Sequence, residues 1–276
     1  MKRAAFFMAV LILVLGFCGC SGDSSSESAP VSTGDEAPKA ATKDEADNTE
    51  TEVHTTEPET IPAEYYNRLD SILSSPLKRS SHQLEVEEWI QYPELPTGCE
   101  SVALTAALDY LGFDIEKTEI AENYLYYEDY DLMYGYVGDP FSDFGAAIDP
   151  PGLTATANSY LSHMGSDYHA INTMGTELSD LYKLIDNGYP VVIWSTLYQN
   201  EPSMTDDEYY YDGETYYWYD NEHCEMLCGY DLEDNTVTIS DPNEGVITCD
   251  ADSFEEIYNE VGKLSMTIIN LDGTAR

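Results

Sequence analysis

Apolar side chains are spread unevenly along the 276 residues of this chain, and that distribution limits which part of it can fold. Residues 21–60 consist largely of Ser, Thr, Glu, Asp, Ala and Pro, with 11 acidic and 2 basic side chains. Such a segment cannot bury enough apolar surface to offset the entropy lost on ordering. Aliphatic and aromatic residues return from Ile61 onward. We therefore expect an acidic, disordered tether over residues 21–60, followed by one folded unit.

The first twenty residues have the organisation of an export signal. Met1–Arg3 is positively charged, and Ala4–Phe17 is an uninterrupted apolar run. This run is shorter than the roughly 20 residues of a membrane span and has the length of a signal-peptide core. It ends in Phe17-Cys18-Gly19-Cys20-Ser21, which resembles a bacterial lipobox. The resemblance implies that residues 1–20 are a lipoprotein signal and that Cys20 is lipidated; plain secretion is the alternative. We expect an extracytoplasmic protein anchored to the bacterial cell membrane by its N-terminal lipid alone.

The charge of the chain excludes several classes of partner. The 53 acidic and 11 basic side chains give a net charge of −42 with His neutral. Nucleic acid binding requires a basic face, so no nucleic acid partner is expected. Direct docking on an anionic membrane surface is unfavourable for the same reason. Most of this charge belongs to the part expected to fold, since residues 61–276 hold 42 acidic and 7 basic side chains.

Hydrophobic periodicity predicts helices in the first part of the folded unit and strands in the second part. The predicted helices cover residues 65–73, 100–111, 153–164, 177–187 and 254–260. The predicted strands cover residues 191–194, 224–230, 237–240, 246–249 and 265–269. This order is typical of an α+β fold. We expect a short helical lead-in at 61–82 and a domain over 83–276, with a surface hairpin or flap in the Tyr- and Asp-rich stretch 199–222.

A cysteine at the start of a predicted helix is the first candidate for chemistry. Cys99 lies in Pro96-Thr97-Gly98-Cys99-Glu100, directly before an amphipathic segment. A thiol at this place is exposed to the positive end of the helix dipole and to free N–H groups, which favour the thiolate and lower the pKa. A buried structural cysteine is the alternative. The position of Cys99 alone leaves both interpretations open.

Two later residues have the order that a cysteine nucleophile needs. His223 opens a strand 124 residues after Cys99, and Asp241 ends the next strand 18 residues later. An imidazole can take and return the thiol proton, and a carboxylate can hold the imidazole in one tautomer. This order resembles the papain-like arrangement. In that arrangement a glutamine ahead of the cysteine donates to the oxyanion together with the cysteine N–H. Gln91, eight residues before Cys99, has this place.

Several segments together resemble one peptidase family. The segment Gln91–Ser101 closely resembles the signature of bacterial C39-like peptidase domains, relatives of the bacteriocin-processing C39 proteases with a papain-like fold. The other similar segments are Gly188–Trp194, Glu222–Asp231, Ser240–Pro242 and Phe144-Gly145 with Pro150-Pro151. The resemblance spans about residues 84–270, and only the acidic, Tyr-rich insert before His223 departs from it. It implies a Cys-helix packed on a C-terminal antiparallel sheet, with Cys99 as nucleophile, His223 as base, Asp241 as orienter and Gln91 as oxyanion donor.

The remaining candidates favour neither a metal nor a cofactor. Cys224, Cys228 and Cys249 are expected to be small core thiols, although Cys249 could pair with one of the other two. A zinc site built from His223, Cys224 and Cys228 lacks the close cysteine pairs of a structural site, and successive strand residues point to opposite faces. The acidic stretch 206–212 is interpreted as a solvated face in preference to a loose calcium site. We expect no metal and no cofactor.

These features predict a cell-surface cysteine peptidase that cleaves peptide or protein substrates, for example in the processing of secreted peptides. One alternative is a papain-like binding or scaffold domain without peptidase activity. Another is an amidase or acyltransferase that acts on a non-peptide substrate. A cell-wall amidase fits poorly, because a domain with this net negative charge is repelled by anionic wall polymers. The complete set of Cys99, His223, Asp241 and Gln91 favours the enzyme.

Overall fold

The computed structural model describes residues 60–273. The expected lipoprotein signal with Cys20, and the expected tether up to residue 59, lie outside these residues. Within residues 60–273, no helix combines the length and the apolar character needed to cross a bilayer.

Six α-helices are present in the described part of the chain. In chain order, α1 to α6 are Ala63–Leu73, Cys99–Tyr110, Glu119–Asn123, Pro150–His163, Leu178–Asp186 and Ala251–Glu260. The helix α1 packs against α5, and its Tyr65, Leu69 and Ile72 belong to the main hydrophobic core. The helix α4 begins with two prolines, which are tolerated there because the first N–H groups of a helix have no partner within it.

Eleven β-strands lie within the described residues. In chain order, β1 to β11 are Ser81–Gln83, Tyr127–Glu128, Tyr136–Val137, His169–Asn172, Val191–Thr196, Met204–Tyr211, Glu214–Tyr219, Glu222–Asp231, Thr236–Asp241, Gly245–Asp250 and Ser265–Ile269. Seven of them form one antiparallel sheet in the order β10-β9-β8-β5-β11-β4, with β1 also paired to β8. The strands β2 and β3 form a separate parallel pair, and β6 and β7 form a hairpin.

The strand β8 organises the region around the candidate site. Its first half pairs with β5 and its second half with β1, while β9 lies along its other side from Met226 onward. The last residue of β9, Asp241, therefore comes next to the beginning of β8. The helix α2 packs on β8 and β5. All nine residues from Glu100 to Leu108 are buried, as expected for a helix enclosed by protein on every side.

The fold class expected from the sequence is confirmed. It is α+β, and the helix that begins at Cys99 packs on a sheet built mainly from the C-terminal half of the chain. Each of the helices and strands predicted from periodicity is present, with its ends shifted by a few residues at most. The stretch 199–222 contains the hairpin β6–β7. The prediction did not include α3, β1, β2, β3 or β4, all of which are five residues or shorter.

Candidate active site

The start of α2 is fixed by close contacts in the segment before it. Gly98 is buried, and a Cβ at this position would lie 3.0 Å from the Leu95 Cβ and 3.3 Å from the Pro140 Cβ. The Thr97 hydroxyl donates to the carbonyl of Ser142 at 2.9 Å, which ties this segment to the loop after β3. These contacts present Cys99 at the first turn of a buried helix, and the residue as a whole is partly exposed.

The Cys99 sulfur lies against the beginning of β8. Its thiol donates to Glu100 Oε2 at 3.4 Å, and the backbone N–H of Cys224, the residue after His223, hydrogen-bonds the sulfur. Burial raises the pKa of the Cys99 thiol well above its ordinary range, and the negative charge of Glu100 raises it further. The expectation of a lowered thiol pKa is therefore wrong for this arrangement, because desolvation and a neighbouring carboxylate outweigh the helix N-terminus.

His223 and Asp241 are in direct contact. His223 Nε2 and Asp241 Oδ1 are 2.6 Å apart, and both side chains are almost completely buried. The backbone N–H of Asn243 donates to the same carboxylate oxygen at 2.7 Å, and Asn243 Nδ2 lies 3.4 Å from His223 Nε2. The carboxylate is thus fixed from two sides and holds one edge of the imidazole. The contact with Asp241 uses Nε2 and not the other ring nitrogen, Nδ1.

Gln91 connects the segment before α2 with the turn after β9. Its backbone N–H donates to the carbonyl of Pro242 at 2.8 Å, and its side-chain Nε2 donates to the carbonyl of Pro96 at 2.8 Å. The side chain is buried. The structure thus gathers the predicted residues around the start of β8 and the end of β9. Within residues 60–273, no hydrogen bond joins the Cys99 sulfur directly to the His223 ring.

Glu100 is a site residue that the sequence analysis did not single out. It is 1 % exposed, its Oε1 accepts the backbone N–H of Ile148 at 3.0 Å, and its Oε2 accepts the Cys99 thiol. Burial raises the pKa of Glu100 to about 7. The sequence contains a feature that could have identified Glu100. It directly follows a candidate nucleophile and lies on a face of α2 that is otherwise apolar.

Glu225 is a second residue that was missed. It lies two residues after His223 on the same face of β8, completely buried. Its two carboxyl oxygens accept from Ser195 Oγ at 3.0 Å and from Gln199 Nε2 at 2.8 Å. Burial, and next the charge of Asp241, raise the pKa of Glu225 well above its ordinary value. A glutamate inside an apolar strand is unusual enough to have marked it from the sequence.

One cluster has the composition of a metal site. One donor atom from each of His223, Glu225 and Asp241 lies within 4.8 Å of the other two. In this arrangement, however, the His223 Nε2 is already hydrogen-bonded to Asp241, and both oxygens of Glu225 accept hydrogen bonds. The cluster is accounted for as a protein hydrogen-bond network. Cys224, Cys228 and Cys249 are free thiols in the structure, with the first two buried.

Comparisons with known proteins point to one family. A model of the Peptidase_C39 like family matches residues 80–266, a span that includes all four predicted site residues. The protein YvpB of Bacillus subtilis (strain 168), which is uncharacterized, is 28% identical over 203 residues, which cover 70% of this chain and 78% of YvpB. A crystal structure from Bacillus anthracis, assigned to the C39-like peptidases, superposes with a TM-score of 0.59 at 24% sequence identity. The match covers 69% of this chain and 98% of the Bacillus anthracis chain. This superposition shows a shared fold.

Proposed function

The chain belongs to the Peptidase_C39 like family, and from this premise we propose that it is a cysteine peptidase with Cys99 as the nucleophile and His223 as the base. The observation that carries the proposal is the buried hydrogen bond between His223 and Asp241, formed where the backbone of β8 also contacts the Cys99 sulfur. A histidine held by a carboxylate beside a thiol at a helix start is the arrangement that nucleophilic catalysis by cysteine needs.

In the proposed mechanism, His223 Nδ1 takes the proton of the Cys99 thiol, because Asp241 occupies Nε2. The raised pKa of the thiol makes this partner necessary, since few Cys99 side chains would ionise alone at neutral pH. The sulfur exchanges its contact with Glu100 for one with His223 when substrate enters. Active-site hydrogen bonds often tighten only in the complex with substrate.

The proposed reaction has two halves. The Cys99 sulfur attacks the scissile carbonyl carbon and forms a C–S bond, and the protonated His223 gives its proton to the amine as the C–N bond breaks. Water then attacks the carbonyl carbon of the resulting thioester while His223 takes a proton from it, which forms a C–O bond. The C–S bond breaks, His223 returns its proton to the sulfur, and the carboxylic acid product leaves the free thiol behind. Asp241 stabilises the imidazolium that forms in each half.

Two donors are proposed to stabilise the negative charge that develops on the substrate oxygen. One is the backbone N–H of Cys99, which belongs to the first turn of α2 and has no partner within the helix. The other is the second N–H of the Gln91 side-chain amide, whose first N–H already donates to Pro96. The bond to Pro96 would hold the amide in place before substrate arrives, which is how preorganised donors contribute to catalysis.

We place this activity at the outer surface of a bacterial cell. The proposal is supported by the order of charged, apolar and Gly19-Cys20 segments at the N-terminus. The substrates would then be secreted or surface-exposed peptides and proteins, and the lipid on Cys20 would be the only membrane attachment.

A binding domain without activity is the second candidate. The specific observation in its favour is that the Cys99 thiol is hydrogen-bonded to Glu100 while burial and that carboxyl raise the thiol pKa. A thiol kept permanently in this state would be a poor nucleophile. Such a domain would bind peptides without cleaving them.

The test of the peptidase is cleavage of an internally quenched peptide library by the purified mature protein. We expect turnover by the wild type and none by Cys99→Ala. Cys249→Ala is the matched control, because Cys249 is another partly exposed free thiol, on β10, outside the proposed site. Peptide binding without turnover would favour the second candidate, and turnover that persists in Cys99→Ala would exclude Cys99 as the nucleophile.

A further inference from the structure

Three carboxyl groups that the proton transfer does not use lie close to Cys99. They are Glu100, Asp149 and Glu222, which we call the acidic cluster. Glu100 Oε1 accepts the N–H of Ile148, so its carboxyl lies one residue from Asp149. Glu222 directly precedes His223 on β8, and its charge contributes to raising the pKa of the Cys99 thiol. The cluster therefore borders the place where a scissile bond would sit.

The members of the acidic cluster repel one another. After burial, the charges of Asp149 and then Glu100 raise the pKa of Glu222 well above its ordinary value. Burial, and next the charge of Asp131, raise the pKa of Asp149 to about 7. Carboxyl groups behave in this way when they are desolvated together without a neutralising cation.

The Lys and Arg ion pairs of the described region lie elsewhere. The ion pairs that Lys and Arg form within residues 60–273 use four other carboxylates, which are Asp186, Glu94, Asp180 and Glu177. None of these ion pairs includes a member of the acidic cluster. Within these residues no Lys or Arg ion pair therefore neutralises the cluster, and a positively charged group from outside the chain would favour the ionised form of its carboxyls.

Asp149 carries a second and independent indication of a missing ligand. It is 3 % exposed, and its Oδ1 is buried without a hydrogen-bond partner. Asp149 occupies the N-cap position of α4, but its side chain makes no capping hydrogen bond. A buried carboxylate oxygen without a donor is costly and uncommon. Asp149 directly follows Ile148, whose N–H is bound by Glu100, and its charge acts on both Glu222 and Glu100, so the unpartnered oxygen belongs to the same group of carboxyls.

The β6–β7 hairpin has a tyrosine that is within electrostatic reach of the acidic cluster. Tyr209 on β6 is partly buried, and its pKa is raised to about 12 by burial and then by the charge of Asp149. The rings of Tyr211 and Tyr134 are in edge contact, with centroids 6.1 Å apart, which holds the hairpin against the segment that precedes Asp149. The insert that departs from the family pattern thus brings aromatic side chains near the cluster, and aromatic rings are favourable neighbours for a cation.

We propose that the acidic cluster is a specificity subsite that receives a lysine or arginine side chain of the peptide, next to the bond cleaved at Cys99. The proposal builds on the peptidase function proposed above and names its substrate class. A guanidinium or ammonium would supply donors for Asp149 Oδ1 and for Glu222 and would neutralise the cluster. Arginine is preferred over lysine, because its planar fork can bind two carboxyl oxygens at once.

The experiment uses pairs of quenched peptides that differ only in one residue, arginine or citrulline. Citrulline has nearly the shape of arginine without its charge. The substituted residue is placed in turn at the two positions on each side of the scissile bond of a peptide that the wild type cleaves. At one of these positions we expect kcat/KM to be roughly 10-fold or more higher for arginine, the effect of hydrogen bonds to a charged group.

Variants then locate the effect. Asp149→Asn and Glu222→Gln should each reduce the ratio of arginine to citrulline turnover several-fold. Glu233→Gln should keep the ratio, since Glu233 is exposed in the turn at the opposite end of β8. The ratio is measured within each variant, so a partial loss of folded protein does not change it.

The outcomes separate this proposal from the peptidase function. Cysteine-dependent cleavage with equal rates for arginine and citrulline at every position overturns the subsite and leaves the peptidase standing. If no peptide is cleaved, arginine and citrulline versions of a peptide that binds the protein are titrated into Cys99→Ala by calorimetry. Tighter binding of the arginine peptide supports the subsite in a protein that is not a peptidase, and equal binding overturns it.

Discussion

Replacing Glu100 by glutamine should change how the stability of the protein depends on pH. The Glu100 carboxyl is almost completely buried, and burial raises its pKa from 4.5 to about 7. A carboxyl whose pKa is raised on folding favours the folded state at low pH, and this contribution is lost as the pH rises from about 4.5 to 7. A shift of this size corresponds to about 3 kcal/mol at 1.36 kcal/mol per pKa unit.

Glu100→Gln cannot titrate, but it keeps an oxygen that can accept the Ile148 N–H and an amide group beside the Cys99 sulfur. Its free energy of unfolding, minus that of the wild type, should therefore rise by about 3 kcal/mol between pH 4 and pH 8. Buried carboxyls such as Asp149 titrate in both proteins, so most of their contribution cancels in this difference. At pH 8 the variant should also react faster with iodoacetamide at Cys99, because the negative charge beside the thiol is gone.

The assay is urea unfolding at a series of pH values, followed by tryptophan fluorescence and extrapolated linearly to water. Glu233→Gln is the control. Its free energy of unfolding, minus that of the wild type, should vary by less than about 0.5 kcal/mol between pH 4 and pH 8, as is usual for a surface substitution. The reasoning would be refuted if the difference in free energy of unfolding between Glu100→Gln and the wild type also stayed constant with pH. Glu100 would then ionise as easily in the folded protein as in the unfolded chain.

Three further predictions concern the proposed site and the anchor. Gln91→Ala should lower peptide turnover roughly 10²–10³-fold, the usual loss for one oxyanion donor, while the rate of Cys99 alkylation stays within a few-fold of wild type; equal losses in both would place Gln91 in a structural role. Asp241→Asn should lower kcat roughly 10²-fold or more with little change in KM, because the imidazole loses the carboxylate that holds Nε2, and an unchanged kcat would count against Asp241 as orienter. Cys20→Ser should release the protein from membranes or leave it unprocessed, and a mature, lipidated form of this variant in the membrane fraction would exclude Cys20 as the anchor.

The elements with strong local patterns were predictable from the sequence. The helix α2 has a long apolar run that ends before Gly112, and β5 follows directly after Gly188 and Pro190. In contrast, β4 spans four residues, and its identity depends on pairing with β11, nearly a hundred residues later in the chain. Short strands that are stabilised by distant partners leave little trace in a local window.

The places of Cys99, His223 and Asp241 in the secondary structure were also predictable, because each follows from a local feature such as a helix start or a strand end. The pKa of Cys99 was not predictable in this way. The helix-start argument uses only neighbours in sequence, whereas the thiol is controlled by how deeply α2 packs on β8 and by the carboxyl of Glu100. Glu225 was missed for a related reason, because its partners Ser195 and Gln199 come from β5 and the turn after it.

The central claim is that His223 removes the proton from Cys99, and it is tested most directly by the rate of Cys99 alkylation as a function of pH. The comparison is between wild type and His223→Gln, which replaces the buried ring with a side chain of similar size. At pH 7 the wild type should react roughly 10²-fold faster or more, the usual contribution of a positioned base. The difference should shrink only at strongly alkaline pH, where hydroxide begins to ionise the thiol without help, because the pKa of Cys99 is raised well above its ordinary range. Equal rates for the two proteins across the whole pH range would contradict the account.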